Sequence, residues 1–233
     1  MNSKLVKYLE IDDDVEVFIV GDIHGCFGLL KQTLKSVGFN FNTDLLIGVG
    51  DIVDRGSENE KCVSLLNENW FTTVRGNHEQ FCIDGAYDNS VAFYHRMSNN
   101  GGEWFYKQTE DVIWYIHNRF KQLPILLEVK YMGKKFGFVH ADVPVEDWEL
   151  LKEMVINSDE VNGRSVVDMC LWNRNIVNMN TVNITQVDNV FLGHTVLPKI
   201  KQVGNCTFLD TGGCFKKYDD IYGLSIVKLS DYV

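Results

Sequence analysis

Three short motifs constrain this chain more than any other feature, because each begins where an apolar run ends. In chain order they are Gly-Asp-Ile-His-Gly at 21–25, Gly-Asp-Ile-Val-Asp-Arg-Gly at 50–56 and Arg-Gly-Asn-His-Glu at 75–79. The apolar runs of strand type that precede them lie at 15–20, 44–49 and 71–74. Helical patterns fill the intervals. This order predicts parallel strands with right-handed crossovers, and all three motifs at one edge of a sheet.

Two histidines repeat this placement later in the chain. Further β-type runs lie at 125–129, 135–139, 189–192, 206–210 and 223–229. The second of these runs is followed by His140, and the third is followed by Gly193 and His194. Because the ends of parallel strands gather at one edge, we expect both histidines to lie near the three motifs.

The chain as a whole fits one domain over residues 1–233, since no Pro/Gly/Ser-rich linker or repeat interrupts it. The stretch from about 85 to 123 is rich in aromatic residues, Asn and Gly. Two interpretations of that stretch stand equally, a helical cap beside the site and ordinary helical packing. The six cysteines form no C-x-x-C pair, which argues against structural zinc and favours reduced thiols.

The formal net charge of −10 disfavours binding to nucleic acid and to anionic membranes. The first ten residues lack the apolar stretch of a signal peptide, and no apolar run approaches the ~18 residues of a membrane span. We therefore expect a cytoplasmic protein, in a bacterial cytosol or a phage-infected host cell. A phosphate-handling site in so acidic a chain must supply its own positive charge.

The side chains at the strand ends are oxygen and nitrogen ligands for divalent ions. The predicted ligands of two ions that share Asp51 are Asp22, His24, Asp51, Asn77, His140 and His194. Strand ends hold such ligands rigidly. The set contains no thiolate, so it suits manganese, iron or zinc. Two ions about 3.5–4 Å apart can activate a water and clamp a phosphate. The ligand set therefore predicts a metal-dependent phosphoester hydrolase.

Two further groups complete the predicted chemistry. Planar guanidinium groups match the equatorial oxygens of a phosphate, and the candidates are Arg55, Arg75 and Arg174. Asn77 is expected to contact the substrate as well. A serine or threonine alkoxide leaves as a strong base unless it is protonated, and His78 can supply the proton while Asp54 orients it. Water then attacks phosphorus directly, without a protein nucleophile.

Other polar residues near the motifs are assigned simpler roles. We expect surface or packing roles for His95 and His117, packing for Cys26, and hydrogen bonding around the ligands for Asp142 and Asp210. Glu79 is expected to serve as a helix-start charge or as the partner of an arginine.

The three motifs resemble the signature motifs of the phosphoprotein phosphatase family of metallophosphatases. The stretches 171–174, 193–195 and 210–212 are similar to its compact phage and bacterial branch, and the resemblance runs from about residue 15 to 229. It implies an α/β fold, a β-sandwich of two mixed sheets flanked by helices with metals at strand C-terminal ends, in place of a doubly wound sheet. It also implies the same six ligands, the same acid pair, the same arginines and activation by manganese.

The activity that the resemblance implies is hydrolysis of phosphoserine and phosphothreonine in proteins, with phosphotyrosine and aryl phosphates also accepted. The sequence departs from the eukaryotic branch at Ala141 and Thr195, and a free-standing enzyme without an obligate regulatory subunit is expected. Two alternatives remain. A dinucleoside polyphosphate hydrolase shares the fold, although its bacterial members tend to lack the full Asp-Arg-Gly form. A non-catalytic module should have lost a ligand or the acid pair.

Overall fold

The computed structural model describes residues 5–216, 218–219 and 221–233. The strands are β1 Val6–Glu10, β2 Val17–Val20, β3 Leu45–Gly48, β4 Phe71–Thr73, β5 Leu126–Tyr131, β6 Lys134–Phe138, β7 Glu160–Val161, β8 Arg164–Ser165, β9 Asn189–Leu192, β10 Lys201–Val203, β11 Cys206–Phe208 and β12 Ile226–Lys228. The helices are α1 Phe27–Ser36, α2 Asn59–Ser64, α3 Asn77–Gly85, α4 Asn89–His95, α5 Glu110–Lys121, α6 Trp148–Asn157 and α7 Val166–Trp172.

Two mixed sheets form the centre of the fold. The larger has the strand order β1-β5-β6-β9-β11-β10, and the smaller has the order β12-β2-β3-β4. Strands β2, β3 and β4 are parallel neighbours, while β12 joins β2 antiparallel. The prediction of two mixed sheets flanked by helices is confirmed. A doubly wound single sheet, which the first three strands alone favour, is not what the chain forms.

Three apolar layers explain why the strand sequences look as they do. Val17 and Ile19 of β2 face the larger sheet, and pack in one cluster with side chains such as Phe138 and Phe191. Phe18 and Val20 of the same strand point the other way, into a cluster with helices α1, α2, α3 and α5. Because β2 is buried on both faces, it reads as an unbroken apolar run. A third cluster joins the outer face of the larger sheet to α6 and α7.

The elements that the apolar runs did not predict are mainly edges and short pieces. Strand β1 buries only Val6, and it lies at the edge of the larger sheet beside β5. Strand β10 is the other edge of that sheet, and β7 with β8 forms a small separate hairpin. The helix between the second and third motifs is shorter than the interval that its pattern fills, since α2 ends at Ser64 and a 3-10 turn follows.

The stretch from 85 to 123 contains α4, a 3-10 turn at 102–107 and α5. These elements pack against α3, which begins at the third motif. Within the part of the chain that the structure describes, no helix is both long and apolar enough to cross a membrane.

Candidate metal centre

The ends of five strands, drawn from both sheets, carry the predicted ligands. Those that follow the smaller sheet are Asp22 and His24 after β2, Asp51 after β3, and Asn77 at the first position of α3 after β4. Those that follow the larger sheet are His140 after β6 and His194 after β9. All six side chains are buried, although they are polar or charged. Burial of this many polar groups costs free energy unless they bind one another or a ligand.

Asp51 lies at the centre of the cluster. Its Oδ2 is 3.6 Å from His24 Nε2 and 3.3 Å from His140 Nε2. His24 Nε2 is also 3.8 Å from Asp22 Oδ2. His24 follows a strand of the smaller sheet and His140 follows a strand of the larger one. The Asp51 carboxylate therefore lies between them, where the two sheets meet. This is the position that a ligand shared by two ions requires.

Asn77 connects His140 to the third histidine, His194. Its Oδ1 is 2.9 Å from His140 Nε2 and 2.8 Å from His194 Nδ1. Ligand atoms of Asp51, His140 and His194 lie within 4.8 Å of one another, and so do those of His24, Asp51 and His78. The structure therefore brings all six predicted ligands into one connected group.

The protonation of two of the three ligand histidines suits a metal site, whereas Asp51 outweighs burial and raises the pKa of His140. Burial, with the nearby charge of Arg55, lowers the pKa of His24 to about 3. Burial, with the neighbouring His140, lowers the pKa of His194 to about 2. A neutral imidazole has a free lone pair, which is the form that binds a metal ion. With carboxylate, amide and imidazole donors and no thiolate among the six, the residues fit two divalent cations.

The backbone of the site is unusual. Five of its residues have positive φ angles: His24 (46°), Asp51 (50°), Asp54 (72°), Arg55 (65°) and His194 (68°). Side chains other than glycine adopt this left-handed region rarely, and each such residue costs of order 1–3 kcal/mol. The surrounding structure must therefore hold these turns in place.

Two glycines let neighbouring turns reach the carboxylates. A Cβ at Gly76 would collide with Asp51 Oδ1, and a Cβ at Gly193 would collide with Asp22 Oδ1. The close approach allows the residues just beyond to donate backbone hydrogen bonds. His78 N–H donates to Asp51 Oδ1 at 3.0 Å, and His194 N–H donates to Asp22 Oδ2 at 3.0 Å. The glycines of the motifs thus help to orient the carboxylates.

Glu79 lies in the first turn of α3, as expected for a helix-start charge, and it has a further role that was not predicted. Its buried carboxylate accepts the backbone N–H groups of Asp51 at 2.8 Å, Ile52 at 2.9 Å and Gly76 at 2.8 Å. Burial, with Asp51 nearby, raises the pKa of Glu79 to about 7. Rather than pairing with an arginine, Glu79 ties the second motif to the third. The signal was present, because a Glu at the third helical position often reaches back to the cap residue.

Asp54 and His78 form a pair beside the ligands. Asp54 Oδ2 is 2.6 Å from His78 Nδ1, and His78 Nε2 is 3.9 Å from Asp51 Oδ2. Burial raises the pKa of Asp54, but hydrogen bonds from His78 and His95 outweigh this and hold the pKa well below its usual range. Asp54 is therefore an ionised carboxylate that binds one nitrogen of His78, while the other nitrogen faces the cluster.

His95 is part of this group, contrary to the surface or packing role expected for it. Its Nε2 is 2.6 Å from Asp54 Oδ2, and its side chain is fully buried. Trp104 Nε1 donates to Asp54 Oδ1 at 2.6 Å. No motif spacing marks either residue, because both contacts join residues more than 40 positions apart. By contrast, His117 packs against Tyr87 and Trp114, as expected.

The two outlying aspartates differ in their contacts. Asp142 accepts the backbone N–H groups of Asn175 at 3.0 Å and Ile176 at 3.2 Å, and so braces the loop that carries Arg174. Asp210 accepts from Gly212 N–H at 2.9 Å, while its buried Oδ2 has no partner among the described residues.

The three predicted arginines do not share one position. The guanidinium of Arg55 contacts His24 Nε2 and donates through Nε to Asn99 O at 3.3 Å. Arg174 is exposed on the loop after α7, and its positive charge contributes to the low pKa of His194 after burial and His140. Both therefore adjoin the cluster.

Arg75 lies elsewhere, and the structure does not bring it together with the other two predicted arginines. Its Nη1 donates to Gln80 Oε1 at 3.0 Å, and its Nη2 donates to the carbonyls of Lys121 at 2.9 Å and Leu123 at 3.0 Å. These acceptors are neutral and hold the end of α5 against the third motif. Burial lowers the pKa of Arg75 to about 10, which leaves it charged at neutral pH. These contacts predict a role in stability for Arg75.

Known proteins resemble this chain in sequence along most of its length. Serine/threonine-protein phosphatase 1 of Salmonella typhimurium is 33% identical over 216 residues, which are 91% of this chain and 94% of that protein. Serine/threonine-protein phosphatase 2 of Escherichia coli is 30% identical over 205 residues, 84% and 87% of the two chains. A symmetrical bis(5'-nucleosyl)-tetraphosphatase of Haemophilus ducreyi is 41% identical over 64 residues, 27% and 24% of the two chains.

Solved structures resemble the fold at low sequence identity. A protein described as a candidate diadenosine tetraphosphatase superposes with a TM-score of 0.63 at 20% identity, covering 97% of this chain and 95% of its own. A protein serine/threonine phosphatase of Saccharomyces cerevisiae gives 0.62 at 18% identity, covering 96% and 82%. The family model described as calcineurin-like phosphoesterase matches residues 15–198. The chain therefore belongs to the calcineurin-like phosphoesterase family of metal-dependent hydrolases.

Proposed function

We propose that this protein is a phosphatase of phosphoserine and phosphothreonine in proteins, and that it also accepts phosphotyrosine and aryl phosphates. The observation that carries the proposal is the pair Asp54–His78, with its hydrogen bond of 2.6 Å beside the ligand cluster. A serine alkoxide is a far more basic leaving group than a nucleotide phosphate, so it needs a positioned acid more. Similarity to bacterial serine/threonine phosphatases over 91% of the chain supports the same conclusion.

Two divalent ions would be held by the six residues already described. When bound, the ions supply positive charge for the phosphoryl group and activate the attacking water. Their proposed ligands are Asp22, His24, Asp51, Asn77, His140 and His194, with Asp51 shared. Three imidazoles in this set favour manganese over magnesium, and iron or zinc also suit such ligands.

The phosphate is bound, in this proposal, by Arg55 and Arg174 with help from the Asn77 amide. Arg55 is held at its Nε side by Asn99 O, which leaves its Nη groups directed toward the cluster at His24. The loop that carries Arg174 is held by Asp142, which accepts the backbone N–H of Asn175. Guanidinium groups bind two oxygens at once, and they supply local positive charge at the site in a chain whose net charge is −10.

Proton delivery follows from the orientation of His78. Because Asp54 accepts only, the proton on His78 Nδ1 lies in the hydrogen bond to Asp54. The proton for the departing oxygen is then the one on Nε2, the nitrogen that faces the cluster. Asp54 remains ionised and stabilises the imidazolium form, as carboxylates do in other His–Asp pairs.

The second candidate is a dinucleoside polyphosphate hydrolase, favoured by the 64-residue likeness to a symmetrical tetraphosphatase. The deciding experiment compares a phosphoserine peptide with diadenosine tetraphosphate, using the same manganese-loaded protein. We expect kcat/KM for the peptide to be at least roughly tenfold higher, the size of a modest specificity difference. A preference for the dinucleotide would replace the proposed function with the second candidate. We expect the protein to act on peptides without a regulatory subunit, so no partner is added.

A further inference from the structure

The Asp54 carboxylate receives more hydrogen bonds than an acid pair needs. Three side chains donate to it, each at 2.6 Å: His78 and His95 at Oδ2, and Trp104 at Oδ1. Only His78 belongs to a signature motif. The other two come from the segment that runs from the end of α4 into the 3-10 turn at 102–107, here called the cap segment (residues 95–106). A fully buried carboxylate with donors at both oxygens has its plane and direction fixed.

The hydrogen-bond pattern also fixes the proton positions. An ionised carboxylate only accepts, so His95 must carry a proton on Nε2. His95 Nδ1 is 3.0 Å from the hydroxyl of Tyr106, which can donate to it. A neutral His95 therefore satisfies both of its nitrogens. Tyr106, His95 and Asp54 form one chain of hydrogen bonds that ends at His78.

Packing holds the His95 ring in place. The ring stacks on Phe81, with centroids 5.1 Å apart and an interplanar angle of 19°, and it meets the edge of Tyr106. Gly102 lies so close that a Cβ there would collide with the His95 ring. The ring thus has no room to rotate away from Asp54.

The cap segment also contacts Arg55, the residue that follows Asp54. Asn99 O accepts from Arg55 Nε at 3.3 Å, and a Cβ at Gly101 would collide with the backbone nitrogen of Arg55. Asp54 and Arg55 are consecutive residues with positive φ. Such a turn persists only if its surroundings hold it, and the cap segment supplies contacts to both residues.

A metal ion is a competing explanation for this group, since ligand atoms of Asp54, Cys82 and His95 lie within 4.8 Å of one another. The two contacts of 2.6 Å to Asp54 Oδ2 are hydrogen-bond distances that join the histidines directly to the carboxylate. Burial also raises the pKa of the Cys82 thiol well above its usual value, which disfavours the thiolate that binds metal. A hydrogen-bonded network accounts for the geometry without an ion.

We propose that His95 and Trp104 are positioning residues, which hold the Asp54 carboxylate in the direction that aims His78 at the leaving oxygen. This inference rests on the proposed function, in which His78 is the acid. It makes the cap segment part of the active site. Loss of either donor lets Asp54 rotate or bind water, and proton delivery becomes less efficient while the ligand cluster and the arginines stay in place.

The test measures turnover of a phosphoserine peptide and of para-nitrophenyl phosphate by three variants. His95→Leu removes the donor and should lower kcat for the peptide by about 10-fold or more, the usual effect of losing such a supporting contact. The aryl phosphate has a good leaving group, and its kcat should fall clearly less. Trp104→Phe removes only an N–H, and it should also lower kcat for the peptide more than kcat for the aryl phosphate. His95→Gln can keep an N–H near the Nε2 position and should retain most of the peptide activity.

His117→Leu is the matched control, because His117 is also a buried histidine in this region but packs away from Asp54. It should leave the ratio of the two activities unchanged even if it lowers thermal stability. Equal slowing of both substrates by His95→Leu, or no slowing by Trp104→Phe, would overturn the inference. If His95→Leu fails to fold, Trp104→Phe decides the question.

The outcome also separates this inference from the proposed function. Failure of the wild-type protein to hydrolyse phosphoserine peptides would end the proposed function. In that case glycerol phosphate, which also has an alkoxide leaving group, replaces the peptide in the same comparison of variants. A loss confined to the alkyl substrate would still support the positioning role, and an equal loss would still refute it.

Discussion

His78 is the residue whose role is tested most directly by the choice of leaving group. His78→Asn removes proton delivery, which is worth roughly 10²–10⁴-fold, and leaves the six proposed ligands intact. A phosphoserine peptide should lose most of that factor, whereas para-nitrophenyl phosphate expels a stable phenolate and should lose clearly less. Asp54→Asn should also slow the peptide more than the aryl phosphate, but by a smaller factor.

Turnover of both substrates is measured with metal content determined in parallel. Equal slowing of the two substrates would show that His78 positions phosphate or water instead. Loss of an ion from His78→Asn would make His78 a ligand, because its ring shares a cluster with His24 and Asp51.

Asp51 should matter more than Asp22, although both are buried carboxylates at strand ends. Asp51 Oδ2 approaches His24 and His140, which belong to opposite halves of the cluster. Asp51→Asn should therefore weaken both ion sites, and Asp22→Asn only one. Residual kcat is compared at saturating manganese with bound metal counted. Equal residual rates would count against a shared Asp51.

The arginines offer a comparison between catalysis and stability. Arg174→Lys should lower kcat/KM nearly as much as Arg174→Ala, because a point charge cannot replace a two-pronged guanidinium. Arg75→Lys should instead lower the melting temperature, because a compact ammonium cannot occupy the separate positions from which Nη1 donates to Gln80 and Nη2 donates to the two backbone carbonyls. Turnover of the folded protein should stay near wild type. Wild-type turnover in Arg174→Lys would show that Arg174 does not bind phosphate in the pocket. A loss of turnover without a loss of stability in Arg75→Lys would indicate that Arg75 does contribute to the phosphate pocket.

At the scale of elements, Glu79 is the brace between the turns that follow β3 and β4. Glu79→Gln leaves one carbonyl oxygen for three backbone donors, and its amide hydrogens would face those donors. Each buried donor left unpaired costs about 1–3 kcal/mol. The denaturant midpoint of the metal-free protein should therefore fall, and metal affinity should weaken by about 10-fold.

Glu58→Gln is the control for this change, because Glu58 also accepts a backbone N–H, from Gly28 at 2.7 Å, but lies near the surface. It should leave the midpoint nearly unchanged. A similar small effect from Glu79→Gln would show that the turns hold without the brace.

The elements that the sequence predicted well are those whose burial leaves a simple pattern. Strands β2 and β3 are buried on both faces, so their apolar runs are unbroken. Edge strand β1 buries Val6 but exposes Lys7 and Tyr8, and so it has no such run. The side-chain direction of Arg75 depends on where α5 ends, which no local pattern reveals. His95 reaches Asp54 only through the tertiary fold.

At the scale of the whole molecule, the site exists only where the two sheets meet. Asp22, His24 and Asp51 follow strands of the smaller sheet, while His140 and His194 follow strands of the larger one. The layer between the sheets is fully apolar at residues such as Ile19 and Phe191. The motifs could predict which side chains converge, because strand ends gather them. They could not predict how the sheets pair, and the resemblance to a known family supplied that.

Metal ions should affect the stability of the whole molecule as well as its activity. In the protein without metal, burial raises the pKa of Asp22 well above its usual value, and the nearby Asp210 and Asp51 raise it further. Ions bound at this site would offset that repulsion and would bind the folded state only. At a concentration of 100 times the dissociation constant, binding of this kind adds about 2.7 kcal/mol to the free energy of unfolding.

The protein stripped with chelator should therefore be inactive and should melt at a lower temperature. Manganese should restore more activity than magnesium, because magnesium binds imidazole nitrogen poorly and three histidines lie among the proposed ligands. Turnover of para-nitrophenyl phosphate and the melting temperature are followed in one titration of each metal, with bound metal measured. Asp51→Asn is the control, since its melting temperature should respond less to manganese. Full activity in excess chelator, with no metal bound, would contradict both the metal dependence and the ligand assignment. If activity returned without any rise in melting temperature, the ions would not be bound by the strand ends that join the two sheets.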